Sequence, residues 1–430
     1  MRRMTSARIA AATVVAGLLL AACAAPPDAT DGRADGDTEP EPADTKLAAL
    51  DVERPAPNSP DAADLAAGLN DVGYRLFAAA AAESADDLVL SPLSIGVAFG
   101  MADAGASGET AQALADLFVY PVEGEARWQA FNTLEQDVTD VGGPVVRLAN
   151  RQFPDTDFAT VDGYDERLAT YFGARVEPLP LKADSEGSRA RINDWVAEQT
   201  EDLIPDLVPP GLLGPDSELV LVNALYLEAD WALPFGKYGT EDADFTRLDG
   251  STVTVPLMHE LELRGPAVTT DTYAATEIPY EGNELSMLVV VPAEGRYADV
   301  EAQLAEGLVD EIDAAATGRA VELFLPRFES DGALDLRPLI EGDLGVTGIF
   351  GAGYDGIAPG ITLESAVHAA DIAVDEQGTV AAAATALEFP SSGPPEPEVT
   401  VRADRPFLYL IRHRPTGAVL FLGRVLDPSA

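Results

Sequence analysis

The side chains that could do chemistry in this chain are few and scattered. Its 430 residues hold three histidines, His259, His368 and His413, and one cysteine, Cys23. A serine hydrolase needs a histidine oriented by a carboxylate and placed beside an elbow-type serine. No Gly-x-Ser-x-Gly run stands at a strand-to-helix turn to supply one. Metal sites need His pairs at helical spacing or a Cys–His set, and neither occurs; nor does a glycine-rich phosphate loop. His413 lies between Arg412 and Arg414, beside Pro415-Thr416-Gly417, and reads as a solvated turn residue. His259 follows Met258 at a strand end with no ligand spacing around it. No catalytic residue, metal or cofactor is therefore expected.

One stretch, residues 375–407, is built differently. Asp375, Glu376, Gln377, Gly378, Thr379 and Val380 lead into Ala381, Ala382, Ala383, Ala384, Thr385, Ala386, Leu387, Glu388 and Phe389. Laid out as a strand, one face carries Thr379, Ala381, Ala383, Thr385, Leu387 and Phe389, all small or apolar. The only charge, Glu388, falls on the other face. Alanine is the best helix former, so the local pattern fits a helix as well as a strand. The flanks argue for an exposed loop that could become a strand: Gly378 precedes the run, and Pro390, Pro394, Pro395 and Pro397 follow it.

The remaining elements form one large domain over residues 61–430, with no internal linker or repeat. Leu65, Leu69, Val72, Leu76 and Phe77 space a helix over residues 64–82. A short strand at 88–90 meets Ser91, an N-cap, and Pro92 at the first helical position. Residues 108–110 open a third helix. Ile192, Trp195, Val196, Thr200, Ile204 and Leu207 predict one amphipathic helix. Residues 219–226 and 285–292 are nearly continuous apolar runs, hence strands buried on both faces. Residues 321–328 alternate as a single stretch, and 407–411 with 419–422 predict a buried hairpin.

Several of these segments resemble the serpin family. Val374 through Glu376, Gly378, Thr379 and the run Ala381 to Ala384 look like the hinge of the serpin reactive-centre loop. Leu90-Ser91-Pro92-Leu93-Ser94-Ile95, Gly108-Glu109-Thr110, Asn223, Trp231, Pro234-Phe235, Thr240 and His368 match other serpin segments. The resemblance implies an α+β serpin fold with three β-sheets, eight or nine helices and an exposed loop at about 376–400. It further implies a shutter of Ser91, Ser94, Asn223 and His368, with His368 buried near Asn223. A breach latch of Trp231, Arg327 and Glu376 is implied too, Arg327 standing where the family commonly has lysine. The implied activity is inhibition of a serine protease, or of a cysteine protease, through a covalent complex, by a monomer. With Thr379 counted fourteen residues before the cut, the scissile bond lies between Ser392 and Gly393, suited to an elastase- or subtilisin-like target. Phe389 and Leu387 are the alternative sites. The alternative function is a non-inhibitory serpin-fold binding or chaperone lipoprotein at the cell surface; a solute-binding lipoprotein finds no support beyond the leader.

That leader comprises residues 1–22: Arg2, Arg3 and Arg8 precede an apolar run, Ile9 to Leu20, too short to span a bilayer comfortably. Leu20-Ala21-Ala22-Cys23 resembles a bacterial lipoprotein cleavage box, implying export across the cytoplasmic membrane and lipidation of Cys23. Residues 23–60, rich in Asp, Glu, Pro and Ala, read as an acidic disordered tether. The acyl chains on Cys23 would then be the only membrane contact. With 27 basic and 73 acidic residues the formal charge is −46, which disfavours nucleic acid as a partner.

Overall fold

The computed structural model describes residues 52–236, 239–379 and 396–429. In chain order the elements are α1 (Ala62–Glu83), β1 (Leu88–Leu90), α2 (Pro92–Asp103), α3 (Gly108–Leu117), α4 (Glu125–Thr139), β2 (Val145–Pro154), α5 (Tyr164–Phe172), β3 (Arg175–Val176), α6 (Ser185–Gln199) and β4 (Leu219–Asp230). The chain continues through β5 (Glu241–Thr246), β6 (Thr252–Thr269), β7 (Tyr273–Pro279), β8 (Leu285–Pro292), α7 (Tyr297–Gln303), α8 (Leu308–Ala315), β9 (Thr317–Pro326) and β10 (Phe328–Asp335). After α9 (Leu336–Pro338) come β11 (Val367–Val374), β12 (Gly378–Thr379), β13 (Val399–Arg402), β14 (Phe407–His413) and β15 (Val419–Val425).

Among the described residues the strands form two hydrogen-bonded sheets. The main sheet runs β10-β11-β12-β4-β2-β3; the second runs β1-β15-β14-β8-β7-β6-β9-β13, with β5 on β6. The expected three sheets become two connected ones because the 18-residue β6 belongs to two lobes. One part of β6 pairs with β5 and another with β7, and its ladder to β9 shifts register between Glu260 and Leu263.

α2 is apolar almost all round and is buried between β4 and β15, as such a helix must be. Ser91 caps it, its hydroxyl oxygen accepting from Ser94 N at 3.1 Å. On the opposite face of the main sheet, Ile192, Trp195 and Val196 of α6 cover Val220, Val222 and Ala224. β4 is thus buried on both sides, which is why its sequence does not alternate.

Three sequence expectations are corrected. The amphipathic helix ends at Gln199, not beyond Leu207, because Glu201 and Asp202 take left-handed φ of 52° and 64° and Pro205 disfavours helix before it. Ile204 and Leu207 still join the α6 cluster, so their burial alone mimicked helical spacing. Residues 321–328 are two strands, broken at Arg327 where the chain passes from one sheet to the other. His413 is not solvated: it is 2% exposed at the end of β14, a strand flanked by β15 and β8. Its Nδ1 lies 2.8 Å from Thr416 Oγ1, and burial pushes its pKa down.

Residues 52–60, read from sequence as the end of a tether, lie along α4. Asn58 N and Ser59 N donate to Thr133 Oγ1, and Pro55 O accepts from Asn132 and Gln136.

Candidate functional site

The site is the seam of the main sheet between β4 and β11. After β11 the chain turns through Asp375-Glu376-Gln377, where the Asp375 carboxylate accepts from Gln377 N at 2.7 Å and Gly378 N at 3.3 Å. It re-enters the sheet as β12. Thr379 pairs with Val374 of β11 and Ala229 of β4, and Gly378 with Asp230, antiparallel on both sides. β4 and β11 are consequently parallel, and among the described residues no ladder joins them directly. Glycine is required at 378, since a methyl group there would overlap the Ala229 carbonyl and reach 2.8 Å from Asp230 Cα. Thr379 is fully buried, its hydroxyl 2.6 Å from Tyr280 Oη.

Trp231, Arg327 and Glu376 meet at the head of this seam. Arg327 Nε donates to both Glu376 oxygens at 3.0 and 2.8 Å, and its terminal nitrogen reaches Oε1 at 2.6 Å. Thr240 Oγ1 donates to the same carboxylate at 2.6 Å. Burial pushes the Glu376 carboxyl up, but the bonds from Arg327 and Thr240 outweigh it and hold its pKa below the ordinary value. Trp231 stacks on Tyr280 at 4.4 Å and donates from Nε1 to Asp375 O at 3.0 Å. The turn is therefore pinned from three elements: the β4 end, Thr240 and the β9–β10 break.

Lower in the seam, Ser94, Asn223 and His368 line one small cavity of about 10 Å³ with Leu221, Phe99 and Val367. Ser91 N donates to His368 Nε2 at 2.9 Å. Burial alone pushes the His368 pKa down to about 4, so at neutral pH the ring is an uncharged acceptor. Asn223 shares the cavity with His368, but its amide bonds to Asn150 Oδ1 on β2 instead.

Of the residues singled out from sequence, Ser94, Asn223 and His368 line the cavity, Ser91 bonds to His368, and Trp231, Arg327, Glu376, Gly378 and Thr379 lie at the head of the seam. It missed Tyr280, Asn150 and Glu135; Tyr280 sits next to β7 and meets Thr379 only through tertiary packing, which leaves no local signal. Cys23, Ala381, Ala382, Ala383, Ala384, Leu387, Phe389, Ser392 and Gly393 lie outside the described residues.

Residues 67–428 match the family model Serpin (serine protease inhibitor). An uncharacterized serpin-like protein of Thermococcus kodakarensis is 32% identical over 80% of this chain and 81% of its own. Plasminogen activator inhibitor 1 of Bos taurus is 32% identical over 83% of this chain and 91% of its own. Among solved structures, Serpin48 of Tenebrio molitor superposes with a TM-score of 0.77 at 24% identity, covering 85% of this chain and 98% of its own. Native protease nexin-1 with heparin gives 0.74 at 28% identity, covering 85% of this chain and 100% of its own. With the fold, the seam and the family model in agreement, the chain belongs to the serpin family, whose members are generally protease inhibitors rather than enzymes.

Proposed function

We propose that this chain inhibits serine proteases as a suicide substrate, offering the bond Ser392–Gly393 in a loop spanning about 376–400 to an elastase- or subtilisin-like enzyme. The observation that carries this reading is β12, seated between two parallel strands and antiparallel to both. It occupies the head of a seam that a longer strand could fill in the same register. Stepping six residues on from Thr379 would bring Thr385 opposite His368 of β11 and Asn223 of β4. Leu387 and Phe389 would then face the core beside Leu221 and Leu219, with the alanines between them small enough to enter without clashes.

The chemistry belongs to the protease: its serine attacks the loop, the bond after Ser392 breaks, and an acyl-enzyme forms. The freed strand then inserts and carries the protease with it. About 20 new ladder bonds at ~0.5–1.5 kcal/mol each supply on the order of 10–30 kcal/mol. A displacement of ~1 Å in the protease's catalytic groups costs it about a hundredfold in rate, which stalls deacylation. Pro390 would enter last, where a lost ladder bond matters least. The chain is proposed to act as a monomer, exported and held at the cell envelope through lipidated Cys23.

The test is incubation of the purified chain with elastase, subtilisin and chymotrypsin, followed by denaturing gels and mass spectrometry. A covalent band at the summed mass and a released peptide beginning at Gly393 are expected. Cleavage with no covalent band for any of the three contradicts inhibition and favours the non-inhibitory reading.

A further inference from the structure

A buried polar chain connects the N-terminal segment to the wall of the seam. Arg54 Nε donates to Asn132 Oδ1 at 3.0 Å, and one terminal nitrogen donates to Tyr171 O at 2.9 Å and Glu135 Oε2 at 3.4 Å. The same Glu135 oxygen accepts from Asn150 Nδ2 at 3.2 Å, and Asn150 Oδ1 accepts from the amide of Asn223. Asn150 and Asn223 face each other across the β2–β4 ladder, and Asn223 lines the seam cavity with His368. Four residues from four separate places in the chain thus run from the surface to β4, the strand that walls the seam opposite β11.

Two features distinguish this chain of contacts from ordinary packing. Glu135 and Asn223 each keep a buried oxygen, Oε1 and Oδ1, without a partner among the described residues. A polar network that served stability alone would satisfy them. The clasp itself is polar: residues 54–59 hold to α4 through Gln129, Asn132, Thr133 and Gln136 and bring no large apolar anchor into the core. Such a segment opens at lower free energy than the core it touches.

We propose that Arg54 and Glu135 are positioning residues for strand insertion: the clasped segment 54–59 fixes β4 through Glu135, Asn150 and Asn223, and its release lets β4 shift to take a longer strand into the seam beside β11. This rests on the loop-insertion reading above. The lever is the state of Glu135. Burial pushes its carboxyl up to about 8 even with Arg54 pulling it down. Of the groups facing it among the described residues, Arg54 from the N-terminal segment and Asn150 from β2, only Arg54 is charged. Losing Arg54 removes the charged donor that draws Glu135 towards its carboxylate form and leaves Oε2 held by Asn150 alone.

The experiment uses the full chain and the variants Arg54→Ala, Arg54→Lys, Glu135→Gln and the Arg54→Ala/Glu135→Gln double. Amide hydrogen exchange is read in β4 and β11 without protease, and covalent-complex formation is timed separately. Arg54→Ala should speed exchange along β4 about fivefold relative to β14 and β15, and Arg54→Lys should partly restore protection. The double variant should match Glu135→Gln alone, as expected for residues acting in series. Wild-type β4 exchange should also change across pH 7–9, a dependence that Glu135→Gln removes. Faster exchange confined to residues 52–60 and α4, or additive effects in the double, would overturn the proposal. A wild type that traps no protease while β4 still answers to Arg54 sinks the insertion reading and keeps the coupling. Trapping by a chain whose β4 ignores Arg54 does the reverse.

Discussion

His368 holds the seam only while it is uncharged. Its Nε2 accepts from Ser91 N, and protonation removes that acceptor inside a buried site. The folded pKa of about 4 lies below the ordinary histidine value of 6.5. Between these two values the unfolded chain takes up a proton that the folded chain refuses. Stability from this group is therefore present above pH 6.5 and lost as pH falls towards 4. Thermal melts should show that decline, and His368→Gln should remove its share of it. The Arg327–Glu376 pair carries less weight in stability, because the Arg327 side chain is 51% exposed; its place at the turn matters more. At this scale Ser91 was legible as a helix cap from its own motif, whereas Asn223, Trp231, Arg327, His368 and Glu376 stood out only through the family resemblance of the segments around them. His413 was not: its basic neighbours suggest solvent, yet Arg412 is itself only partly exposed, paired with Glu277 at 2.5 Å and Asp313 at 2.8 Å.

Among the elements, β12 is as short as β3 but sits where insertion is proposed to begin. It is two residues long, and the close approach of the β4 backbone to Gly378 is what lets it enter. A methyl at this position must push the hinge out of the seam or β4 aside. We expect Gly378→Ala to slow insertion more than loop cleavage, so that more chain is consumed per protease trapped. Titrating a fixed amount of protease with each protein measures this directly; an unchanged stoichiometry would show that β12 is not where insertion begins. The strands and early helices could be read from periodicity, since β4 and β8 carry unbroken apolar runs and α2 its cap and proline. The end of α6 could not, because Ile204 and Leu207 are buried at helical spacing by a chain that has already left the helix. The break at Arg327 was hidden for a similar reason: alternation continues through it while the chain changes sheets.

At the scale of the molecule, the proposed inhibition rests on a main sheet in which, among the described residues, only β12 lies between β4 and β11. The second sheet and its helices supply a core that need not change, including the fully buried Leu408, Leu410 and Ile411 of β14. The N-terminal clasp could not be foreseen, because it has no large apolar residue to mark it as packed and its partners lie about 80 residues further along the chain. The formal charge of −46 favours a cationic partner at long range, an attraction that salt weakens. The most direct measurement compares the melting temperature of the chain before and after cleavage of its loop. Insertion worth 10 kcal/mol or more predicts a rise on the order of 10 °C or greater. A cleaved chain that melts at or below the temperature of the intact one would contradict loop insertion.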